Sequence, residues 1–226
     1  ALVGENGAGK STLIKILGGA VAADGGTIRL DNQIVSIANA RHAQSLGIAV
    51  VHQEFSLAPD LGVDENVFLG HWPQSSYGLV SYSELFAQTE ALFRTLAVSI
   101  PPRARVADLS VAQQQMVEIA RALALDARVL VLDEPSAVLT PSELTALFAF
   151  LRRLAGRVVS IVYISHRLEE VFELCDQVTV LRDGRHISTR PTKVANRETL
   201  IREMVGRAIE EEFPTRTPAF GEPALV

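Results

Sequence analysis

One glycine-rich run near the start of the chain, "GENGAGKST", constrains the possible folds more than any other segment. It fits the pattern G-x-x-x-x-G-K-[ST], in which glycines let backbone N–H groups surround a phosphate chain because no Cβ blocks the approach. A helix that begins near Ser11 would direct the positive end of its dipole at the same anion. The run therefore predicts a strand–loop–helix unit that binds a nucleotide through Gly4, Glu5, Asn6, Gly7, Ala8, Gly9, Lys10, Ser11 and Thr12.

Two polar side chains of this loop have expected roles of their own. Lys10 would reach the β- and γ-phosphates, and the Ser11 hydroxyl would be a ligand of Mg²⁺. The alternative is an ordinary glycine turn that caps a helix, but the four fixed positions recur by chance in about one chain of this size in a hundred. Because only three residues precede the loop, we expect that its feeding strand is cut short and that the chain begins within a domain.

The composition is that of a globular protein, with 48% hydrophobic and 21% charged residues over 226 residues. The net charge of −5 gives no basic surplus, so we expect no nucleic-acid partner. Cys175 is the only cysteine, which excludes an intrachain disulfide and favours a reducing compartment. We find no apolar run long enough to span a bilayer and no signal peptide, so we expect any membrane association to be peripheral.

Short runs rich in Val and Ile alternate with helical patterns, which predicts a parallel sheet wrapped by helices. The expected buried strands are Gly47–His52, Val129–Asp133 and Val158–Ser165. The expected helices are Ser11–Leu17, Met116–Leu125, Pro141–Leu154 and Arg167–Leu174.

Three other regions are expected to lie apart from this sheet. Two hairpins join Thr27–Leu30 with Gln33–Ile37 and Val178–Leu181 with His186–Thr189. The first hairpin would need further strands that this sequence does not contain, so we expect a small antiparallel subdomain that is partly missing. From about residue 55 to 125 helical periodicity dominates, which predicts an inserted helical subdomain, and the prolines after Glu210 indicate a linker.

Polar residues follow several of the predicted strands at the point where each strand ends. Asp133 closes the apolar run of residues 129–132, where such a carboxylate can hold Mg²⁺, and Glu134 is placed to accept a proton from attacking water. Gln53 and His166 end two other apolar runs. Any one of these residues alone could be a solvated loop residue. Together with Lys10 they are expected to converge, because ligands of open parallel sheets gather at the carboxyl ends of the strands.

The segment Leu109–Gln115, "LSVAQQQ", opens a strongly helical stretch. In isolation Ser110 would be a simple helix N-cap. The order and spacing of this segment, the glycine-rich loop and the strand-end residues resemble the nucleotide-binding domain of ABC transporters. The resemblance runs from Ala1 to about Gly206.

Three longer segments are similar to the first half of the tandem ATPase subunits of bacterial monosaccharide importers: "VVHQEFSLAPDLGVDENVFLG", "LSVAQQQMVEIARAL" and "VYISHRLEEVFELCDQVTVLRDG". The resemblance implies an α/β fold with a P-loop NTPase core, a parallel sheet, a small antiparallel subdomain and an inserted helical subdomain. It also implies one nucleotide-binding domain over residues 1–206 and a linker over residues 207–226 toward a second nucleotide-binding half.

In this family two halves close head to tail around ATP, which assigns roles to several residues by resemblance. Ser110 and Gln113 would contact the γ-phosphate bound by the partner half. Gln53 would contact Mg²⁺ and water, and His166 would hold the γ-phosphate and orient the attack. With Ser11 and Asp133, Gln53 would complete the Mg²⁺ ligands.

The function implied by the resemblance is ATP hydrolysis that energises import of a small solute, with a monosaccharide expected, through a separate membrane permease. The subunit would lie at the cytoplasmic face of the cell membrane and would act indirectly with an extracytoplasmic solute-binding protein. Two alternatives remain open: a soluble ABC ATPase without a transport role, and a nucleotide-binding regulatory half that does not hydrolyse ATP. The sequence does not identify the sugar.

Four positions depart from the family pattern. Val111 and Ala112 replace two glycines of the family's signature segment, and their side chains would hinder a close approach to phosphate. Ser136 replaces the common Thr, and Thr140 stands where Asp is usual. We therefore expect asymmetry, in which the ATP held by Lys10 is hydrolysed with the other half's signature segment. The upstream aromatic that stacks on adenine is not in this sequence, so we expect the isolated chain to bind ATP weakly and turn it over slowly or not at all.

Overall fold

The computed structural model describes residues 1–156 and 159–206. Its main sheet has six strands in the order β4–β5–β6–β1–β7–β8. The strands are β1 Leu2–Val3, β4 Ile48–Val51, β5 Val129–Asp133, β6 Ser160–Ile164, β7 Gln177–Arg182 and β8 Arg185–Pro191. Pairing is parallel from β4 to β7, and β8 runs antiparallel to β7. The predicted α/β class is confirmed.

Eight α-helices connect and cover the strands within the described residues. They are α1 Lys10–Leu17, α2 Ala40–Ser45, α3 Val63–Val67, α4 Tyr82–Leu96, α5 Val111–Ala124, α6 Pro141–Ala155, α7 Leu168–Leu174 and α8 Arg197–Val205. The predicted helices and strands lie within a few residues of these bounds, except that α5 begins five residues before the predicted Met116. It begins at Val111 because Ser110 caps it there. The predicted strand Val158–Ser165 begins at Ser160, and Val158 itself lies outside the described residues.

The central strand β5 is apolar from Val129 to Leu132, as expected for a strand whose two faces are both covered. Leu130 and Leu132 pack into a large cluster with residues of α5 and α6, including Phe148. Val131, whose side chain points to the opposite face, packs with Ile14 of α1. This two-sided burial fixes the register of β5, and with it the position of the carboxylates that follow it.

The two predicted hairpins form, but only the first stands apart from the main sheet. β2 Ile28–Leu30 and β3 Gln33–Val35 pair with each other as a two-stranded antiparallel sheet. Asp31 and Asn32 both have positive φ in the turn, as the tight hairpin connection requires. The second hairpin is β7–β8, and the expectation that it stands apart was wrong. β7 pairs in parallel with β1 and so belongs to the main sheet, where its residues Val178 and Val180 are buried.

Helices α3, α4 and α5 occupy about half of the region from residue 55 to 125, which also has a 3₁₀ turn at Val106–Asp108. Helix α3 packs against α4 and α5, while α5 also contacts β4 and α6. Helix α5 therefore bridges the helical region and the main sheet. Within the described residues no helix has the length and apolarity needed to cross a membrane. The predicted linker after Glu210 lies outside the described residues.

Candidate functional site

The glycine-rich loop connects β1 to α1, and its glycines meet two different physical demands. Gly7 and Gly9 have φ of 85° and 99°, a left-handed conformation that L side chains rarely adopt. Gly4 has an ordinary φ but lies against β7. A Cβ added there would lie 2.4 Å from the carbonyl oxygen of Leu181 and 2.8 Å from Cβ of Ala8. The loop is therefore fixed by conformation at its tip and by close packing at its base.

The ammonium group of Lys10 is held against the base of this loop. Its Nζ donates hydrogen bonds to the carbonyl oxygens of Gly4 at 2.7 Å and Glu5 at 3.0 Å. The residue is only 8% exposed, so its positive charge is concentrated on the concave side of the loop. Such a cradle of backbone N–H groups with one fixed cation suits a phosphate chain.

A pocket of about 440 Å³ opens beside the loop. It is lined by Asn6, Gly7, Ala8, Gly9, Lys10, Ser11, Thr12, Gln53, Asp133 and Glu134. The predicted convergence is therefore present for these residues, because β4 and β5 are neighbours whose carboxyl ends meet at this edge. Gly4 and Glu5 lie at the base of the loop, where their carbonyl groups hold Lys10.

The end of β5 brings two carboxylates together at the pocket. The pKa of Asp133 is raised, first by burial and second by the neighbouring charge of Glu134, while His52 and Lys10 act in the opposite direction. A raised pKa indicates that the Asp133 carboxylate would be stabilised by a cation.

The donor set at this edge suits Mg²⁺ bound through a phosphate ligand. The described residues contain no cluster of three His, Cys, Asp or Glu side chains that could hold a metal alone. Magnesium commonly takes one or two carboxylates, with substrate phosphates and water completing its coordination. Ser11, Asp133 and Gln53 line the pocket beside the phosphate loop, and each side chain carries an oxygen atom of a type that Mg²⁺ accepts as a ligand.

Glu134 and His166 contact each other at the rim of the pocket. His166 Nδ1 lies 3.2 Å from Glu134 Oε1. Glu134 has a left-handed φ of 48°, which costs about 1 kcal/mol or more for a side chain of this kind. The backbone N–H of Glu134 donates to the carbonyl of Ile164 in β6 at 3.0 Å, and this bond helps to hold the turn. His166 does not line the pocket itself, but it contacts Glu134, which does.

Ser110 and Gln113 lie at the start of α5 and are not among the residues that line the pocket. They form a reciprocal capping box, in which Ser110 N donates to Gln113 Oε1 at 3.0 Å and Gln113 N donates to Ser110 Oγ at 3.3 Å. The structure therefore separates these two predicted site residues from the phosphate loop of their own chain.

Sequence reasoning missed a clamp on the loop that carries Gln53. Glu118 of α5 is 3% exposed, and its Oε1 accepts hydrogen bonds from Ser56 N at 2.7 Å and Ser56 Oγ at 2.9 Å. Arg121, one turn further along α5, donates to the carbonyl of Ser56 at 3.2 Å. The clamp connects this loop, at Ser56, to the helix that Ser110 caps.

A second group that sequence reasoning missed lies beneath Glu134 and His166. The carboxylate of Glu170 in α7 is buried and accepts hydrogen bonds from the hydroxyl groups of Ser136, Tyr163 and Ser165. One sequence signal existed, because Glu170 stands four residues before Leu174 on a short helix and so shares its face. Nothing in the sequence identified the partners of this carboxylate.

The profile of the family described as ABC transporter matches residues 1–137, which is more than half of the chain. The chain belongs to the ABC transporter family. A solved ATP-binding cassette of an ABC transporter, in its ADP conformation, has a TM-score of 0.76 and 25% sequence identity, and the match covers 91% of this chain and 87% of that one. The ABC fold is thus shared across almost all of the described core.

Two curated relatives in the ABC family are ribose import ATP-binding proteins. That of Rubrobacter xylanophilus is 51% identical over 224 residues, and one from Streptomyces coelicolor is 50% identical over 224 residues. Each match covers 99% of this chain but only 44% and 43% of the relative. The chain therefore spans less than half the length of the curated ABC proteins that it matches.

Proposed function

We propose that this chain is an ATP-binding and ATP-hydrolysing cassette that energises import of a monosaccharide through a separate membrane permease. The observation that carries the proposal is the contact of Glu134 with His166 at 3.2 Å on the rim of the phosphate-loop pocket. A protein that only binds a nucleotide has little need of a carboxylate placed to take a proton. The sugar assignment is supported by the ribose import names of the relatives.

In the proposed reaction the chain's own groups bind the nucleotide and handle one proton. The loop from Gly4 to Thr12 binds the phosphates, and Lys10 stabilises charge on the β- and γ-phosphates. The Glu134 carboxylate takes a proton from water as the water oxygen forms a bond to the γ-phosphorus. The bond from that phosphorus to the bridging oxygen breaks, and ADP and phosphate result. His166 holds the γ-phosphate and orients the attacking water.

Ser11, Asp133 and Gln53 would hold Mg²⁺ in this site. When bound, the ion would neutralise charge that develops on the phosphate oxygens. The raised pKa of Asp133 supports this assignment, because a nearby cation would offset the partial burial of this carboxylate and the neighbouring charge of Glu134.

The position of Ser110 and Gln113 outside the pocket of their own chain supports a second nucleotide-binding half as a partner. We assign these residues to the γ-phosphate of a second nucleotide-binding half in a head-to-tail pair. The permease subunits would hold the pair at the cytoplasmic face of the membrane, and a solute-binding protein would act indirectly; no nucleic-acid partner is proposed. Residues 1–206 are assigned to the nucleotide-binding domain, with a helical subdomain at about 55–125, and residues 207–226 to the linker toward the second half.

The replacement Glu134→Gln in the full transporter tests the catalytic assignment. We expect ATP turnover to fall by about a hundredfold or more, since general-base catalysis contributes a factor of this size, while ATP still binds. Glu90→Gln, at an exposed position on α4, is the matched control and should leave turnover unchanged. Turnover at the wild-type rate in Glu134→Gln would refute the role of this residue.

The same variants test the transport assignment in cells that take up a labelled monosaccharide. Uptake should be lost with Glu134→Gln and retained with Glu90→Gln, because only the first removes hydrolysis. Nucleotide binding without phosphate release by the wild-type protein would favour the non-hydrolysing regulatory half. Full hydrolysis in cells that show no change in uptake would favour an ABC ATPase without a transport role.

A further inference from the structure

A buried carboxylate lies beneath the two loops that carry Glu134 and His166. Glu170, on α7, is 3% exposed. Its Oε2 accepts three hydrogen bonds from hydroxyl groups: Ser136 Oγ at 2.6 Å, Tyr163 OH at 2.8 Å and Ser165 Oγ at 3.0 Å. These donors come from different parts of the chain, so one oxygen atom links their side chains in addition to the backbone pairing of β5 with β6.

The first donor belongs to the turn that carries Glu134. Ser136 follows Glu134 by two residues, is 2% exposed and makes the shortest of the three bonds. The turn is conformationally demanding because Glu134 has a left-handed φ of 48°. An anchor two residues later fixes the point where the chain leaves this strained position.

The other two donors belong to β6 and to the loop that carries His166. Tyr163 lies within the strand, and Ser165 immediately precedes His166. Ser165 Oγ also accepts a hydrogen bond from the backbone N–H of Arg167 at 3.0 Å. The Ser165 hydroxyl therefore accepts a hydrogen bond from the residue after His166 and donates one to Glu170, which links both neighbours of His166 to this carboxylate.

In this cluster the hydroxyl groups donate and the Glu170 carboxylate accepts. Tyr163 is buried, and burial raises the pKa of its phenol above the usual range, so the group stays protonated and donates to Glu170. Arg167 Nη1 lies 2.9 Å from Oε1 of Glu170, but no hydrogen bond to Oε1 is formed by the described residues. Because the Arg167 side chain is half exposed, this ion pair is partly screened by solvent. The hydroxyl groups on Oε2 are thus the main partners of the carboxylate.

We propose that Glu170 is a positioning residue that holds the loops of Glu134 and His166 at the spacing required for attack on the γ-phosphate. A buried anion is costly unless hydrogen bonds compensate it, so the three charge-assisted bonds to Oε2 favour the convergence of these hydroxyl groups. Movement of either loop would break one of these charge-assisted bonds. The effect on turnover rests on the proposed function, whereas the effect on loop geometry does not.

The decisive variant is Glu170→Gln in the full ATPase. Glutamine keeps the size of the side chain, but its neutral amide oxygen is a weaker acceptor for three hydroxyl groups. We expect kcat to fall by about ten- to a hundredfold, because small displacements of catalytic groups have effects of this size, and KM for ATP to change by less than about twofold. Glu169→Gln is the matched control, since this neighbouring carboxylate is exposed and pairs with Arg197 at the surface.

A second measurement follows the geometry without any ATPase activity. The imidazole nitrogen chemical shifts of His166 should move in Glu170→Gln toward those of Glu134→Gln, because both replacements disturb the contact between Glu134 and His166. Ser165→Ala removes one of the three bonds and should give a smaller shift in the same direction. If Glu170→Gln fails to fold, Ser165→Ala and Tyr163→Phe carry the test.

The two measurements separate the possible failures. Wild-type shifts of His166 in every folded variant would overturn the positioning role, whatever the turnover. Displaced His166 signals in a protein that does not hydrolyse ATP would retain the positioning role and reject the proposed function.

Discussion

Gly4 differs from the other glycines of the phosphate loop because its need for a hydrogen side chain is steric. Its φ is ordinary, but a Cβ would lie 2.4 Å from the carbonyl oxygen of Leu181, which is backbone and cannot rotate away. Gly7, by contrast, has open space around it and a φ of 85°. The base of the loop is thus coupled to the position of β7.

The replacement Gly4→Ala should lower the free energy of unfolding by about 2 kcal/mol, since overpacking a tight site commonly costs 1–3 kcal/mol. Urea unfolding of the wild-type protein and of the variant measures this change in the free energy of unfolding. Gly25→Ala is the control, because a Cβ at Gly25 meets nothing within 4 Å and its φ is not positive. Equal stability of the two variants would show that the loop and β7 can separate without cost.

The sequence predicted the positions of some residues of the site and gave no indication of others. Gln53, Asp133 and Glu134 were placed correctly beside the phosphate loop because each follows an apolar strand, and parallel strands end at one edge. Glu170 was missed because its partners are separated in sequence by up to 34 residues and meet only when α7 packs under the sheet. A charged residue on a short helix is ordinarily solvated, so the sequence favoured the wrong environment for it.

At the scale of elements, α5 links the helical region, the Gln53 loop and the signature segment. Its N-terminus is capped by Ser110 and Gln113, and its middle holds Ser56 through Glu118 and Arg121. The Gln53 loop and Ser110 are thus attached to the same fourteen-residue helix.

Glu118→Gln should loosen the Gln53 loop without unfolding α5. The charge-assisted bonds from Ser56 to Glu118 become neutral ones, which we expect to cost about 1 kcal/mol and to speed local amide exchange at Ser56 by about fivefold. Hydrogen exchange followed by mass spectrometry or NMR measures this protection. Glu90→Gln, exposed on α4, should leave the same amides unchanged. Unaltered exchange in Glu118→Gln would mean that Arg121 and packing alone hold the loop.

At the scale of the whole molecule, the sheet was easier to predict than its edges. The central strands are short apolar runs covered on both faces, so a buried parallel sheet follows from their composition, whereas their order does not. Strand β8 was expected in a separate hairpin, because its sequence pattern describes local pairing with β7 and contains no signal for the parallel bond between β7 and β1. The pairing of β7 with β1 depends on the position of β1 in the sheet, and β1 has only two residues.

The same architecture separates the phosphate loop from the signature segment of its own chain. Ser110 and Gln113 satisfy each other in a capping box and lie outside the pocket. Ala112, at the start of α5, is only 5% exposed, and its methyl group occupies space that a glycine would leave open beside the backbone. Nearby, the pKa of Glu143 is lowered, first by hydrogen bonds from Thr140 and then by smaller effects of Ser110 and Ala112, which keeps an anion at this end of α5. This face is therefore less suited to a phosphate than a glycine-lined one.

We predict that this chain alone hydrolyses ATP slowly or not at all, because Ser110 lies outside the pocket of its own phosphate loop. Any hydrolysis should depend on pairs of chains, so the rate per chain should rise in proportion to chain concentration while pairs are scarce. Phosphate release measured over a dilution series tests this dependence, and Glu134→Gln supplies the background rate. Adding a second cassette with an intact glycine-containing signature segment should raise turnover at the Lys10 loop far more than adding further copies of this chain. Brisk hydrolysis that does not change with concentration would mean that one chain completes its own site, against the separation of Ser110 from the phosphate pocket.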